Sequence, residues 1–356
     1  MRKFSFHPCG NYHESYREEL SIFETDFGRS CLLLFLIVLF VVVPVFASPY
    51  SMYILNTIGI MAIAAIGLNI LVGYTGQISL GHGAFFGVGA YAAAILATRL
   101  GVSFLVVIPT AGIITAAVGM IFGLPSGRLK GLYLTIATLA GQFIIEYVLI
   151  QWDSLTMGTM GIVLPAPKIL QWTISGNQAF FFLIFISLIL MTLFAVNIMR
   201  TKYGRAFIAI RDNDRAAEGM GIPIFKYKLL SFGISSFYAG FAGALWAYYM
   251  VSITTEPFNL GLSVEFIAMV IIGGMGNIPG AIFGATFITL LNELLRYFTV
   301  MLMNIDFIIS WGLNMAPLKE FVFGLAIVMF ILLEPRGLAE LWRIIRSSFK
   351  LWPFSY

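Results

Sequence analysis

Apolar runs of about twenty residues recur along this 356-residue chain, and they constrain its fold more than any other feature. An α-helix rises about 1.5 Å per residue and the hydrocarbon layer of a bilayer is about 30 Å thick, so about 20 residues cross it. Ten runs can be marked, at 31–48, 50–72, 80–98, 102–124, 131–151, 179–199, 229–251, 263–274, 280–297 and 318–334. The composition agrees. Sixty per cent of residues are apolar and 11% are charged, where soluble domains run near about 45–50% and about 25%. The sequence predicts an all-α polytopic integral membrane protein with about ten transmembrane helices, eight at the least. The run 263–274 is too short to cross and stops at Gly273-Gly274, which marks a half-helix or a span broken by glycine. Segment 299–317 is interrupted by Asn304, Asp306, Gly312, Asn314 and Pro317 and is expected to be a loop or an interfacial piece.

Orientation follows from the basic residues, which collect on the cytoplasmic side. With the N-terminus inside, segments 1–30, 73–79, 125–130, 200–228 and 335–356 are cytoplasmic and hold 17 of the 21 Lys and Arg residues. The other four are Arg99, Lys168, Arg296 and Lys319. This divides the chain into a cytoplasmic tail 1–30, a transmembrane domain 31–334 with a large loop at 200–228, and a segment 335–356 whose "LAELWRIIRSSFKLW" suits a helix lying on the cytoplasmic membrane face. The first apolar run follows acidic residues, so a cleaved signal peptide is not expected. A net charge of +4 is too small to suggest nucleic acid. Cys9 and Cys31 make no disulfide framework. His7, Cys9 and His13 match no zinc spacing, so no metal site is expected.

Three stretches carry more than orientation. The first is "GYTGQISLGHGAFFGVGA", Gly73 to Ala90. Gly83, Gly87, Ala90 and Ala94 fall on one helical face, and small residues let helices approach closely in lipid. Packing does not account for Gln77, Ser79 and His82, which follow Gly76. Bare backbone at membrane depth is tolerated only inside protein or beside a water-filled cavity, which makes this a candidate broken helix beside a passage. A lone histidine there reads first as a structural residue. The second stretch is the loop Arg200–Lys228. Within it "DNDRAAEGMG" has a short helix's signals: Asn213 or Asp214 as N-cap, and Gly221 and Pro223 as the stop. An orienting loop needs only charge, whereas a capped mini-helix between basic arms, with Arg205, Arg211, Asp214, Arg215, Ala216, Ala217 and Glu218, has the form of a docking element. The third stretch, "SVEFIAMVIIGGMGNIPGAIFGATF", repeats the glycine style of the first and carries Glu265. Glu265, Glu146 and Glu293 lie in or at the ends of apolar runs, where a charge needs a partner; a structural hydrogen-bonding role is the plain reading.

"LNILVGYTGQISLGHGAFFGVGAYAAAIL" resembles the signature segment of the permeases of branched-chain amino-acid ABC importers, the LivM type. The likeness continues in order through "GLYLTIATLAGQFIIE", "WDSLTMGTMGI", "YGRAFIAIRDNDRAAEGMGI", "YKLLSFGISSFYAGFAGALWA", "IAMVIIGGMGNIPGAIFGA" and "EPRGL", covering Ile54 to Leu338. Residues 1–50, 299–317 and the last fifteen carry no motif of the family, and "GNIP" at 276–279 is a variant of its pattern. The resemblance implies a bacterial inner-membrane permease that pairs with a second, related permease. Two cytoplasmic ATPases would drive alternating access and bind ATP and Mg, and a periplasmic binding protein would deliver the substrate. It places the ATPase contact in Arg200–Lys228. This chain has no GxxxxGK[ST] phosphate loop, so it is expected to be no enzyme and to hold no cofactor. Urea, short amides or another small solute would fit the same class. An ion-coupled secondary transporter, using acids such as Glu146 and Glu265, is the reading from another class. An intramembrane enzyme is disfavoured by the lack of an HExxH pair and by three histidines far apart in sequence.

Overall fold

The computed structural model describes residues 26–169, 172–174, 176–303, 315–333 and 337–351. Its helices are α1 (Asp26–Ile37), α2 (Pro49–Asn69), α3 (His82–Arg99), α4 (Phe104–Gly123), α5 (Leu132–Gln151), α6 (Asn177–Arg200), α7 (Lys202–Asp212), α8 (Asp214–Gly219), α9 (Ile224–Met250), α10 (Leu260–Gly273), α11 (Ile278–Met303), α12 (Met315–Leu333) and α13 (Leu338–Leu351). Two short antiparallel ribbons lie in the connections. One pairs β1 (Ile162–Val163) with β4 (Ser252–Ile253), and the other pairs β2 (Lys168–Ile169) with β3 (Trp172–Thr173).

Each of the ten expected runs falls on helix, but the helices are not equivalent. Among the described residues six helical stretches, Pro49–Tyr74, Phe104–Gly127, Leu132–Gln151, Asn177–Arg200, Ile224–Met250 and Ile278–Met301, are long and apolar enough to cross a membrane. The others are shorter or interrupted. α10 has 14 residues, the half-helix that Gly273-Gly274 foretold. Three expected boundaries move. α1 begins at Asp26, ahead of residue 31. α11 runs on to Met303, so residues 299–303 are helix and not loop; their sequence, TVMLM, is apolar, and Thr299 Oγ1 bonds back to Leu295 O at 2.8 Å. Residues 304–314 lie outside the described residues, and α12 begins at Met315, so 315–317 are helix and not loop, because Pro317 falls in the first turn, where an amide has no acceptor within the helix. At the far end, α13 packs on the bundle through Ala339, which is buried, and Trp342, which meets the Phe283 ring with centroids 6.1 Å apart.

α9 is the central post. It packs on α2, α3 and α4, and its buried side carries Gly233, Ser235, Ser236, Ala239, Gly240, Ala242, Gly243 and Ala244. Small residues remove the obstacle to close contact, and van der Waals packing then holds the helices, because lipid supplies no hydrophobic drive between them. A methyl group at Gly89 would strike the Gly240 backbone, and one at Gly243 would strike the Phe86 carbonyl. α3 and α9 therefore touch backbone to backbone. α2 begins at a real cap, since Ser48 Oγ accepts from the Ser51 amide at 3.2 Å and Pro49 needs no amide partner at the first turn.

Candidate functional site

α2 does not end at a loop. Its last turn widens into a π-helical turn, Ile70–Tyr74, and the chain reverses at Gly76, whose φ of +71° suits glycine. The next residues climb back into the bundle. Gln77 Nε2 donates to Ser231 Oγ at 2.8 Å, the Leu80 amide donates to Thr138 Oγ1 at 3.0 Å, and Ser79 Oγ accepts from the Gly81 amide at 3.3 Å. His82 is fully buried. Its Nε2 donates to Ala64 O at 2.9 Å, and its ring stands edge-on to Phe266 at 5.2 Å. Ala64 is ten residues above Tyr74 on α2, so His82 lies roughly 15 Å above the turn. α3 thus starts deep in the bundle, as a broken helix, and Gln77, Ser79 and His82 each make a hydrogen bond along that ascent, while Gln77 Oε1 is buried without a partner among the described residues.

A second helix start lies at the same level. The Gly83 amide donates to Ser263 Oγ at 2.8 Å and the Ala84 amide to Gln142 Oε1 at 2.8 Å. Ser263 Oγ in turn donates to Gln142 Oε1 at 2.9 Å, and Gln142 Nε2 donates to Phe258 O at 2.9 Å. First-turn amides have no acceptor within their own helix. Here Gln142 of α5 and Ser263 of α10 accept from those of α3, and all of these groups are buried. A methyl at Gly83 would lie 2.8 Å from Ser263 Oγ, and one at Gly87 would lie 2.8 Å from the Phe258 ring. These two glycines admit the turn before α10 and its first residues. Gly83 thereby brings α3 close to α10, where the Ser263 amide nitrogen would lie 3.0 Å from such a methyl, and Gly89 and Gly243 bring α3 close to α9. Sequence reasoning passed over Gln142; the signal was Thr138 and Gln142 one turn apart in an apolar run.

The two glycine breaks meet at the lower end of α2. The second break turns at Gly274 and Gly276, with φ of +110° and +76°, directly after Gly273. Asn69, also fully buried, clamps it: Oδ1 accepts from the Gly276 amide at 2.9 Å and Nδ2 donates to Asn277 O at 2.7 Å. Arg211, from the large loop, reaches the same place. Its Nη1 donates to Gly73 O at 3.0 Å, and methyl groups at Gly276 and Gly76 would lie 3.0 Å from its Nη1 and 3.1 Å from its Cγ. Gly337, of "EPRGL", presses on Gly274, where an added methyl would lie 2.7 Å from Gly274 Cα.

α7 and α8 form the expected mini-helix assembly. Asn213, and not Asp214, is the cap: its Oδ1 accepts from the Arg215 and Ala216 amides at 3.0 and 3.1 Å. α8 ends in a Schellman turn. The Ile222 amide bonds Ala217 O at 3.1 Å, the Gly221 amide bonds Glu218 O at 2.9 Å, and Gly221 has φ +81°. Asp214 Oδ2 accepts from Lys130 Nζ at 2.8 Å and from the buried Lys228 Nζ at 2.9 Å. Partial burial pushes the Asp214 carboxyl up, and the hydrogen bonds and charges of Lys130 and Lys228 outweigh it, holding the group below the ordinary carboxylate value. Ala217 is buried beneath the mini-helix, while Arg215, Ala216, Glu218 and Met220 are exposed, Met220 to 82%. Arg205 stands apart on α7, exposed and bonded to Arg200 O at 3.4 Å.

The acids do not converge. Glu265 accepts from Asn292 Nδ2 at 3.3 Å, Glu293 is held by Tyr50 Oη at 2.7 Å and Arg296 at 2.9 Å, and Glu146 stands alone on α5 with its Oε2 unbonded among the described residues. Among the described residues no three His, Cys, Asp or Glu side chains gather as a metal site, and His7, Cys9 and His13 lie outside them.

Residues 50–332 match the family described as branched-chain amino acid transport system / permease component. The chain belongs to this permease family. The permease is 32% identical over 290 residues, 75% of its own chain and 68% of the relative's, to the high-affinity branched-chain amino acid transport system permease protein LivM of Salmonella typhimurium. It is 32% identical over 287 residues, with 74% and 68% covered, to the protein of that name in Escherichia coli. It is also similar to the probable branched-chain amino acid transport permease protein LivH of Methanocaldococcus jannaschii, at 25% identity over 267 residues, 70% of this chain and 81% of the relative. No solved structure matches. The permease is thus a multi-pass membrane protein and the membrane subunit of an importer, with likeness to two permease types.

Proposed function

We propose that the permease carries branched-chain amino acids across the bacterial inner membrane in an ATP-driven importer. It does so with a second related permease, two cytoplasmic ATPases that hold ATP and Mg, and a periplasmic binding protein. All ten helical runs belong to its membrane domain in this reading, with both termini cytoplasmic. The observation that carries the reading is α8. It is capped by Asn213, stopped at Gly221 and tied by Asp214 to Lys130 and Lys228, so it is a rigid element with an outward face. An orienting loop would need none of this, whereas a lever pushed by another protein needs all of it. Membership of the family and the 17-of-21 charge asymmetry support the same assignment. α3, broken at its start, and the half-helix α10 supply the interrupted helices from which transport paths in bundles are commonly built. The test is uptake in liposomes holding the permease with its partner subunits. ATP-dependent uptake of labelled leucine is expected. Leucine uptake by the permease alone, indifferent to ATP, would overturn the importer reading, and ATP-dependent uptake of urea in place of leucine would keep the class and reject the substrate.

A further inference from the structure

We propose that Arg211 is the positioning residue that transmits movement of the docking mini-helix to the two glycine breaks; this rests on the importer reading above. Arg211 lies two residues before the cap Asn213, on the last turn of α7, so its backbone moves with α8. Its side chain is 39% exposed, yet its guanidinium is engaged against the bundle. Nη1 donates to Gly73 O at 3.0 Å, and the same nitrogen sits where a side chain at Gly276 would be, while Nε is steadied by Asp212 Oδ1 at 3.1 Å. The other face of the junction is Asn69, which holds Gly276 and Asn277 through both ends of its amide. One side chain from the docking arm and one from α2 therefore grip the first and second breaks together.

A cation bonded to the last carbonyls of a helix is also an ordinary cap, and stability alone would explain that much. Three features go further. The carbonyl it caps belongs to a π-helical turn, a form that recurs at functional sites. Gly76 and Gly276 both have positive φ and both admit the Arg211 side chain, so two backbone reversals are shaped around it. The remaining anchors of α8, the Asp214 pairs with Lys130 and Lys228, lead to the α4–α5 connection and to α9, and they reach the first break at one remove, through Ser231, whose Oγ donates to Lys228 O at 2.7 Å and accepts from Gln77 Nε2 at 2.8 Å. Among the described hydrogen bonds, Arg211 to Gly73 is the one that joins α7 or α8 directly to a break.

The test uses the complete transporter in liposomes with the parent chain, Arg211→Ala and Arg211→Lys. Three quantities are read: co-purified ATPase, substrate-stimulated ATP hydrolysis, and leucine taken up per ATP hydrolysed. Arg211→Ala is expected to retain the ATPases and their hydrolysis while uptake per ATP falls about tenfold, the scale of one charge-assisted hydrogen bond. Arg211→Lys, which keeps the charge and loses the fork, is expected to recover part of the ratio. An unchanged ratio in Arg211→Ala overturns the strut. Loss of the ATPases from both variants overturns it too, because Arg211 would then belong to the docking surface or to folding. Failure of the parent chain itself to import with ATP sinks the importer reading, and the strut falls with it.

Discussion

Two kinds of glycine occupy the same stretch of this chain, and they differ in what would replace their hydrogen. At Gly89 and Gly243 an added methyl meets backbone of the facing helix, which has nowhere to go. At Gly83 it meets Ser263 Oγ first, at 2.8 Å, the tip of a side chain that can rotate although rotation breaks its bond to Gln142, and backbone only from 3.0 Å, against 2.3 Å at Gly89. Overpacking a close contact costs typically about 1–3 kcal/mol. Gly89→Ala is therefore expected to lower the thermal midpoint of the purified protein more than Gly83→Ala, and Gly219→Ala, which meets open space within α8, is expected to cost nothing. Leu at Gly83 or Gly87 would exceed either alanine. Thermal unfolding in detergent ranks the variants, and a Gly89→Ala protein as stable as the parent would refute backbone contact between α3 and α9. Asn69, Gln142 and Ser263 illustrate the limit of reading residues one at a time. Each is an ordinary polar residue in an apolar run, and each acquires meaning from an acceptor or donor more than a hundred positions away, Asn69 from Gly276 and Gln142 from Ser263.

At the scale of the element, α8 has two faces, and they separate docking from folding. Ala217 is 2% exposed, whereas Ala216 and Met220 are exposed. A charge at Ala217 would be buried without a partner and would damage the mini-helix itself. Ala216→Glu with Met220→Glu is expected to leave expression and thermal midpoint near the parent's and to release the ATPases or abolish substrate-stimulated hydrolysis. Ala217→Glu is expected to lower stability whether or not α8 docks. Co-purification of the ATPases decides: undiminished recovery and stimulation in the Ala216→Glu, Met220→Glu variant would place the contact elsewhere. The signals for α8 were local, a cap at Asn213 and a stop at Gly221, which is why the sequence displayed it. The extent of α11 was misread for the opposite reason. Asn304 and the polar residues beyond it invite a stop at 297, but apolar residues up to Met303 let the helix continue.

For the whole molecule, the basic residues and the joint describe one end of the bundle. The Gly73–Gly76 turn, Lys130, Arg211, Asp214, Lys228 and Gly276 are linked there by hydrogen bonds, ion pairs and close contacts, and charge alone puts the segments 73–79, 125–130 and 200–228 on one side. The prediction is a cysteine-labelling pattern, after Cys9 and Cys31 are replaced. A cysteine at Met220 is expected to react with an impermeant reagent only from the cytoplasm, and one at Met160, 91% exposed in the loop after α5, only from outside. Labelling of both from the same side would overturn the arrangement.

The class of fold, the ten apolar runs, the half-helix before Gly273-Gly274 and the mini-helix were legible in the sequence because each follows from a period, a length or a cap within one segment. The tertiary structure alone decided where α3 begins, that its first amides are held by Gln142 and Ser263, that α3 and α9 meet at Gly89 and Gly240, and that Asn69 and Arg211 join two breaks which resemble each other only in composition. The physical reason is the same in each case. Inside a bundle with no water, every backbone group freed by a break must find a partner, and which one it finds depends on the helices that packing brings alongside.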